Sequence, residues 1–386
     1  MSILTYNLTE EQKMLKELTR KIAEEKIRPF SHELDEKEEF PVEIIKTLGQ
    51  SDLFAVSIPE AYGGMGPSLL DLCITTEEIA RVDGGVATSY AACFLGLLPI
   101  LLYGTEEQKK KYLTRVAAGK ALCAFGLTEP EAGSDAGGIK TSAVKDGSHY
   151  ILNGTKCFIS NAGDADVYTI LAVTNKAKGS RGLSVFIVEK GTPGFTFGKK
   201  EEKMGIRSSS TREIIMTDCK VPAESLLGGK EGIGFLAVMK TFDCSRPGVA
   251  AQAVGIAQGA MELAIQYAHN RKQFNQPISS FQGIQWMLAD MATKIEAARS
   301  LLYCVAQSID RGENASSASA AVKLFASDTA MEVTTNAVQI FGGYGYTREY
   351  PIEKFMRDAK ITQIYEGTNQ IQRNIIALDL IRRFGK

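Results

Sequence analysis

Histidine, proline and tryptophan are scarce in this chain, and the first two shortages exclude particular kinds of site and structure. The 386 residues include only 3 His, 11 Pro and 1 Trp. The histidines (His32, His149 and His269) form no metal-ligand spacing, so we expect neither a catalytic metal nor a histidine-dependent triad or dyad. The few prolines, together with a hydrophobic share of 44%, are typical of a folded globular chain and argue against disorder.

The chain also lacks an excess of charge of either sign, closely paired cysteines and long apolar runs. With 44 basic against 45 acidic residues, neither nucleic acid nor an anionic membrane is an expected partner. The seven cysteines contain no C-x-x-C pair, which favours buried thiols in a reducing cytosol. The N-terminus does not read as a signal peptide. The longest apolar stretch, "SYAACFLGLLPILLYG", is short for a bilayer span and contains Pro99, so we interpret it as a buried helix of a cytoplasmic protein.

The hydrophobic period changes twice along the chain. Residues 1–121 read as helical and begin with a capping box at Thr9, whose helix should stop before Pro29. Residues 122–227 read as short strands, with a hairpin turn predicted at Asn153-Gly154. Residues 228–386 return to long helical patterns. Helices, strands and helices in separate blocks predict an α+β protein of three domains with these boundaries.

The familiar nucleotide and nucleophile motifs are not found. Gly232-x-Gly234-x-x-Ala237 matches a degenerate dinucleotide fingerprint, but no strand precedes it. No Walker A string or G-x-S-x-G elbow is present. A phosphate-bearing ligand would therefore need contacts other than a glycine-rich βα turn.

Two stretches in the strand-like block carry small and hydroxyl residues. "AFGLTEPEAGSDAGG" (124–138) would allow backbone N–H groups to approach a ligand, although a plain turn explains it equally well. "GTKCFISNAG" (154–163) would present Phe158 and Ser160 to a planar ring, although an ordinary strand is the simpler interpretation. Neither stretch is specific by itself.

The C-terminal stretch "YPIEKFMRDAKITQIYEG" places Glu366 between two helical patterns. The first pattern puts apolar residues on one helical face, namely Ile352, Phe355, Met356, Ala359 and Ile364. Gly367 is a natural helix stop and Thr368 a natural N-cap for the next helix. From position alone an ordinary surface carboxylate is favoured at such a corner. If the corner is buried, desolvation raises the carboxyl pKa and makes Glu366 a stronger base toward a weakly acidic carbon.

Taken together, these stretches resemble the acyl-CoA dehydrogenase family of flavoenzymes from end to end, and the short-chain, butyryl-type members in particular. The motifs "FGLTEPEAGSDAGG", "DCSRPGVAAQAVGIAQ", "RKQFNQPISSFQ", "QIFGGYGYTREYPIEKFMRDAKI" and "QIYEGTNQIQR" occur in the family's order and approximate spacing. The resemblance implies an N-terminal α-helical domain, a central β-sandwich or barrel domain and a C-terminal four-helix bundle. It also implies a homotetramer built from two dimers.

The cofactor implied by the resemblance is FAD. One group of residues would contact the flavin from the β domain: Phe125, Leu127, Thr128, Ser134, Phe158, Ile159 and Ser160. Many family members have Trp and Thr where this chain has Phe158 and Ser160. A second group would contact the FAD of the neighbouring subunit: Arg271, Phe274, Gln282, Gln339, Gly342 and Gly343. Thr368, Asn369 and Gln370 would close over its phosphate or ribityl region.

The resemblance also implies how substrate binds and reacts. Substrate contacts would come from Ser134, Ser180, Asp243, Arg246, Tyr365 and Gly367. In the family the base lies either in the "YEG" corner or one residue before the arginine that is Arg246 here. Because that second position is Ser245, the only carboxylate available is Glu366. Glu366 would take the α-proton of an acyl-CoA while the β-hydride moves to flavin N5. The enolate oxygen would be held by the Glu366 N–H and a ribityl hydroxyl. The product is a trans-2-enoyl-CoA, and electron-transfer flavoprotein is the expected electron acceptor.

Several alternatives stay open at this stage. An enoyl-CoA reductase would use the same residues in the reverse direction. A catalytically silent flavoprotein would not need Glu366, and the well-known acyl-CoA oxidases are much longer chains. For the acyl group the order of preference is short-chain, then cyclic or branched, then medium-chain, because pocket depth depends on packing.

Overall fold

The first part of the fold is helical. The computed structural model describes residues 3–385, and there the first strand is preceded by six α-helices, a five-residue π-helical turn (Ala23–Ile27) and one short 3-10 turn (Glu60–Tyr62). The α-helices are α1 (Glu10–Ile22), α2 (Arg28–Lys37), α3 (Val42–Gln50), α4 (Leu69–Ala80), α5 (Gly84–Tyr103) and α6 (Glu106–Ala117). The capping box expected at Thr9 is present, and the same "TEEQ" string caps α6 from Thr105.

The first helix ends before Pro29, as predicted, but the chain stays helical. The π-helical turn joins α1 directly to α2. Pro29 then lies in the first turn of α2, where a missing N–H breaks no helical hydrogen bond. The proline therefore starts a helix instead of ending the helical path.

A single seven-stranded sheet follows. Its strands are β1 (Cys123–Gly126), β2 (Ser142–Asp146), β3 (His149–Ser160), β4 (Val167–Val173), β5 (Leu183–Glu189), β6 (Phe195–Lys200) and β7 (Thr211–Pro222). Their order is β1-β4-β2-β3-β7-β6, with β5 paired to β4. Helix α5 packs closely on β1, since a Cβ at Gly96 would lie 2.6 Å from the Ala124 nitrogen.

The prediction of a hairpin turn at Asn153-Gly154 is wrong. Strand β3 runs straight through that dipeptide, and the turn of the β2–β3 hairpin lies between Asp146 and His149. The dipeptide instead marks a shift of register against β7, where Gly154 has φ 148° and a Cβ would meet Thr141. The Asn-Gly signal therefore marks a β-bulge with a close backbone approach, which also favours glycine.

The last part is helical again. Its helices are α7 (Gly234–Asn270), α8 (Gln282–Asp310), α9 (Ser316–Phe341), α10 (Ile352–Ile361) and α11 (Asn369–Phe384). A small ribbon of β8 (Lys272–Gln273) and β9 (Gln276–Pro277) joins α7 to α8. Helix α9 packs against α7, α8, α10 and α11, and α7 also crosses α4 and α5 of the first part. This crossing joins the two helical regions into one core.

Two helices, α5 and α7, are long and apolar enough to span a membrane by length and composition. In the folded chain 72% and 83% of their most apolar windows are buried. They therefore serve as core helices, and the buried helix expected around Pro99 is confirmed.

Candidate active site

Glu366 lies in a tight corner between α10 and α11. Its backbone has φ 52°, a left-handed conformation that is costly for a residue with a side chain, and Gly367 follows with φ 91°. Thr368 caps α11 as predicted, because its hydroxyl accepts from the Ile371 N–H at 3.3 Å. Ile364 was expected on the buried face of the preceding helix, but it is 46% exposed. Helix α10 ends at Ile361, so the helical period no longer applies there.

Two buried side chains hold this corner. The Gln372 side-chain amide donates to the Glu366 carbonyl at 3.1 Å and to the Gly367 carbonyl at 2.8 Å. The Lys323 ammonium, from α9, donates to the Gly367 carbonyl at 2.9 Å. With both carbonyls fixed, the Glu366 N–H is left without an acceptor among residues 3–385. The corner therefore presents a free backbone donor beside a carboxyl group.

Glu366 is half-buried, and its carboxyl group is held in a polar environment. The Ser245 hydroxyl donates to Glu366 Oε2 from helix α7. Burial raises the pKa of Glu366 above its usual range, and Ser245, Arg246 and Lys323 oppose part of that rise. A carboxylate in this condition is a stronger base than an exposed one but keeps partners that fix its direction.

Tyr365 points away from solvent into a chain of polar groups. Its hydroxyl donates to Gln252 Oε1. The Gln252 amide donates in turn to the Gly84 carbonyl at 2.9 Å and to the Thr88 hydroxyl at 2.7 Å, both on α5. Burial, and then the nearby Glu366, raise the pKa of Tyr365. Side chains of α5 and α7 thus fill the interior beside the corner.

Arg246 and Asp243 lie on α7, close to Glu366. Arg246 is 4% exposed and contacts Asp243 at 3.3 Å, and its Nε has no partner within the described residues. Burial lowers its pKa, with Asp243 and Glu366 opposing. Of the other two expected substrate residues, Ser134 lies in an exposed loop and Ser180 in an exposed 3-10 segment of the sheet region. A buried arginine with an unused donor is suited to an incoming polar ligand.

The residues expected to face a flavin from the sheet divide into buried and exposed positions. Phe125, Leu127 and Ile159 are buried, and Thr128 and Ser160 are half-buried. Phe158 is 66% exposed with φ 58°, at a second irregularity of β3. Such a bulge turns a side chain out of the regular alternation.

An aromatic contact joins β1 to the helix that carries Arg246. The ring of Phe125 meets that of Phe242 edge-on at 5.9 Å, and the Arg246 guanidinium lies 5.7 Å from the Phe242 ring centre. The flavin-strand candidates and the residues around Glu366 therefore belong to one region.

The residues expected to contact a neighbouring subunit's cofactor lie at the surface. Arg271, Gly342 and Gly343 line a cavity of about 460 Å³ together with Tyr267 and Tyr344. Arg271 stacks over the Tyr344 ring at 5.5 Å. The three remaining residues, Phe274, Gln282 and Gln339, are exposed.

Of the residues that follow the corner, one is buried beneath it and one is exposed at the surface. Asn369 is 3% exposed, and its side chain bonds to Lys323, Ser327 and Asp328. Gln370 is exposed. Asn369 therefore belongs to the buried network that supports the corner.

Sequence reasoning missed four buried side chains that organise the site. Lys323, Gln372, Gln252 and Lys156 received no role, and Ser245 was considered only as a position that lacks a base. Lys156 is fully buried in β3 and donates to the Leu127 carbonyl at 3.0 Å and to Glu129 at 2.8 Å. Lysines within otherwise apolar runs, as in "AAVKLF", were the available signal.

Comparison with known proteins gives three consecutive family matches. The family descriptions "Acyl-CoA dehydrogenase, N-terminal domain", "middle domain" and "C-terminal domain" match residues 9–120, 124–219 and 232–381. The chain is 48% identical over 385 residues to acryloyl-CoA reductase (NADH) of Anaerotignum propionicum, covering 99% of this chain and 98% of that one.

Two solved structures superpose on almost the whole chain. Butyryl-CoA dehydrogenase from Megasphaera elsdenii has a TM-score of 0.96 at 47% identity, covering 98% of this chain and all of that one. A chain from a structural study of the electron transferring flavoprotein of Acidaminococcus fermentans has a TM-score of 0.96 at 50% identity, with the same coverage.

Proposed function

The chain belongs to the acyl-CoA dehydrogenase family, and we propose that it oxidises a short-chain acyl-CoA to the trans-2-enoyl-CoA with Glu366 as the α-proton acceptor. The observation that supports this most strongly is the Glu366 corner. It combines, in one residue, a desolvated carboxyl group, a carboxyl direction fixed by Ser245 and a free backbone N–H. Removal of a proton next to a thioester requires a base and a donor for the developing oxyanion.

The cofactor is FAD, on which members of this family depend. Its chemistry, when bound, is to accept the hydride that leaves the β-carbon. The residues present fit such a group: Phe158 is an exposed aromatic side chain on the sheet, and Arg271 faces the surface beside Gly342 and Gly343. A guanidinium donates two parallel hydrogen bonds to a pyrophosphate, and glycine lets the backbone approach it. We propose that Phe125–Ser134 and Phe158–Ser160 hold the flavin ring and that Arg271 and Phe274 serve the neighbouring subunit.

Glu366 acts as the base because its carboxylate is the ionisable group that lies beside the free N–H of the corner. Ser245 orients one carboxyl oxygen. The Glu366 N–H then donates to the thioester oxygen, whose negative charge grows as the α-proton leaves. Gly367 keeps the approach clear, and a side chain there would be strained at φ 91° and would meet Gln372. The Arg246 guanidinium, partly unpaired, binds the polar CoA portion beside Asp243.

A short acyl group is supported by the polar chain behind the corner. Tyr365, Gln252 and Thr88 occupy the space between α5 and α7 and satisfy one another's hydrogen bonds. A long acyl chain would have to displace these paired groups, which is costly in a buried site. A related structure that superposes along nearly the whole chain is named butyryl-CoA dehydrogenase, which agrees with this size.

The reverse reaction is the second candidate. One relative with 48% identity is named acryloyl-CoA reductase (NADH). In that direction protonated Glu366 would return a proton to the α-carbon, and the same N–H would stabilise the same oxyanion. The raised pKa of Glu366 suits either direction, because it makes both protonation states accessible.

We also infer the protein's partners, assembly and location. An electron-transfer flavoprotein is the proposed electron carrier, supported by the match to a chain from a structural study of such a protein. A cytoplasmic homotetramer is proposed. The assembly is supported by large apolar side chains that lie exposed between α7 and α10 and along α11, namely Phe274, Trp286, Tyr346, Leu378, Ile381 and Phe384. Sedimentation equilibrium should give the mass of four chains, and a single-chain mass would contradict the assembly.

An anaerobic titration tests the function. Purified protein is titrated with butyryl-CoA and with longer, branched and cyclic acyl-CoAs while the flavin spectrum is recorded. Butyryl-CoA should bleach the flavin fastest. The Glu366→Gln variant should bind it but bleach at least ~10²-fold more slowly, the scale of losing a general base. A flavin that no acyl-CoA bleaches would sink the dehydrogenase assignment, and chemically reduced protein would then be tested with enoyl-CoAs.

A further inference from the structure

Lys323 places a buried positive charge directly beneath the Glu366 corner. It lies in α9 and is fully buried, with its ammonium 2.9 Å from the Gly367 carbonyl and 2.8 Å from the Asn369 side-chain oxygen. Both acceptors are uncharged groups, so Lys323 has no carboxylate in direct contact among the residues that the structure describes. A buried ammonium without a contacting anion is rare, because no ion pair offsets the free-energy cost of removing the charge from water.

The charges around Lys323 come from three elements. Glu366 lies in the corner, Arg246 on α7 and Asp328 on α9. Asp328 is already engaged by Arg373 at 3.1 Å and by Asn369. Burial lowers the pKa of Lys323 to about 8, opposed mainly by Glu366. The Glu366 carboxylate is therefore the anion that Lys323 chiefly senses, although the two groups are not in contact.

The backbone conformation of the corner must also be stabilised by surrounding residues. Glu366 has a left-handed backbone, a conformation that persists only when its surroundings impose it. Gln372 and Lys323 provide this stabilisation through the two corner carbonyls. An uncharged donor such as Gln372 is sufficient for anchoring, so anchoring alone does not explain the presence of a lysine.

We propose that Lys323 is a positioning residue for Glu366. The Lys323 ammonium anchors the Gly367 carbonyl, and its charge favours the ionised Glu366 carboxylate when an acyl-CoA is bound. The inference rests on the function proposed above. It assigns Lys323 two separable roles: one belongs to its hydrogen bonds and the other to its charge.

Three substitutions separate these roles. Lys323→Gln keeps a donor near the Gly367 carbonyl and removes the charge, Lys323→Met removes both, and Lys323→Arg keeps the charge. Lys360→Met is the matched control, because Lys360 is exposed and its ammonium donates to the uncharged Gln363 side chain at 2.9 Å. Circular dichroism and FAD content establish that each variant folds. If Lys323→Met fails to fold, Lys323→Gln carries the test.

The measurement is the pH profile of two reactions. One is flavin bleaching by butyryl-CoA. The other is α-hydrogen exchange of acetyl-CoA in D2O, followed by mass spectrometry, which requires the base but involves no β-hydrogen. In Lys323→Gln the acid limb of both profiles should move up by about one pH unit, the lower end of the effect of a nearby opposite charge. Lys323→Arg and Lys360→Met should follow the wild type.

The outcomes separate this inference from the function beneath it. Wild-type protein that neither bleaches nor exchanges with any acyl-CoA overturns the proposed function and the inference with it. An active wild type with an unshifted acid limb in Lys323→Gln overturns the inference alone. A lower plateau rate in Lys323→Met, restored in Lys323→Gln, would establish the anchoring role.

Discussion

At the scale of single residues, the reactivity of Glu366 is a balance between burial and a few close partners. Burial raises its pKa, while Ser245, Arg246 and Lys323 oppose that rise. Within residues 3–385, only Ser245 donates a hydrogen bond to the carboxyl group. A hydroxyl that donates to a carboxylate stabilises the charged form and fixes its rotamer.

Ser245→Ala should therefore raise the pKa of Glu366 further. The base works only when ionised, so the acid limb of the bleaching profile should move to higher pH, by about one unit for a hydrogen bond to a charged group. Stopped-flow bleaching rates between pH 5 and 9 measure the shift. Ser245→Thr keeps the hydroxyl and is the control. An unchanged acid limb in Ser245→Ala would show that the serine does not bond to the reactive carboxylate.

Gln252 is the residue expected to set acyl length. Gln252→Gly removes the link between Tyr365 and Thr88 and opens space between α5 and α7. We expect kcat/KM for hexanoyl-CoA relative to butyryl-CoA to rise about tenfold or more, the scale of methylene discrimination. Gln266→Gly is the control, because Gln266 is exposed on the same helix α7. An unchanged ratio would place the acyl group elsewhere.

At the scale of elements, β3 and the loop after β1 are joined by a buried ion pair. Lys156 contacts Glu129, which also accepts from the Thr141 N–H at 2.9 Å and from the Lys140 N–H. Burial lowers the pKa of Lys156 to about 8, with Glu129 opposing. The pair ties the loop of Phe125–Ser134 to the strand of Phe158, the two elements proposed to hold the flavin ring.

Lys156→Met should destabilise the fold by about 3–5 kcal/mol, because it leaves a buried carboxylate unpaired. Chemical unfolding, with FAD content measured in parallel, gives the change. Adding Glu129→Gln removes the leftover charge and should recover part of the loss. If the double variant is as unstable as the single one, an unpaired Glu129 is not the cause.

At the scale of the whole molecule, one buried cluster connects all three parts of the chain. Asp83 caps α5, and Lys354 of α10 contacts Asp83 at 3.0 Å and Asp358 at 2.6 Å. Asp358 accepts from the Ile206 N–H in the middle part, and Ser208 donates to Asp83. Burial alone would raise the pKa of Asp83 and lower that of Lys354. The ion pairing outweighs burial, so the pKa of Asp83 is lowered by Lys354 and the pKa of Lys354 is raised by the two carboxylates.

This cluster predicts a pH window. Asp83 contributes stability above its unfolded pKa near ~4, and Lys354 contributes below its own near ~10.5. Lys354→Met should therefore cost about 3–5 kcal/mol at pH 7. The difference from wild type should shrink as the pH falls, because Asp358, whose pKa is raised by burial, is protonated first and Asp83, whose pKa is lowered, follows at more acidic pH. Thermal unfolding at pH 3 and 7 measures both values, and a pH-independent difference would contradict the electrostatic account.

The sequence by itself determined the order of helices and strands, the helix caps at Thr9 and Thr368, and the position of Glu366 between two helices. These features depend on local periodicity and on hydrogen bonds within four residues. Only the tertiary structure decided that Asn153-Gly154 is a bulge, that Ile364 is exposed, that Ser245 contacts Glu366 and that Lys323 contacts Gly367. Those outcomes depend on contacts across 40 to 120 positions of the chain, and burial, which sets the strength of the base, exists only once those contacts have formed.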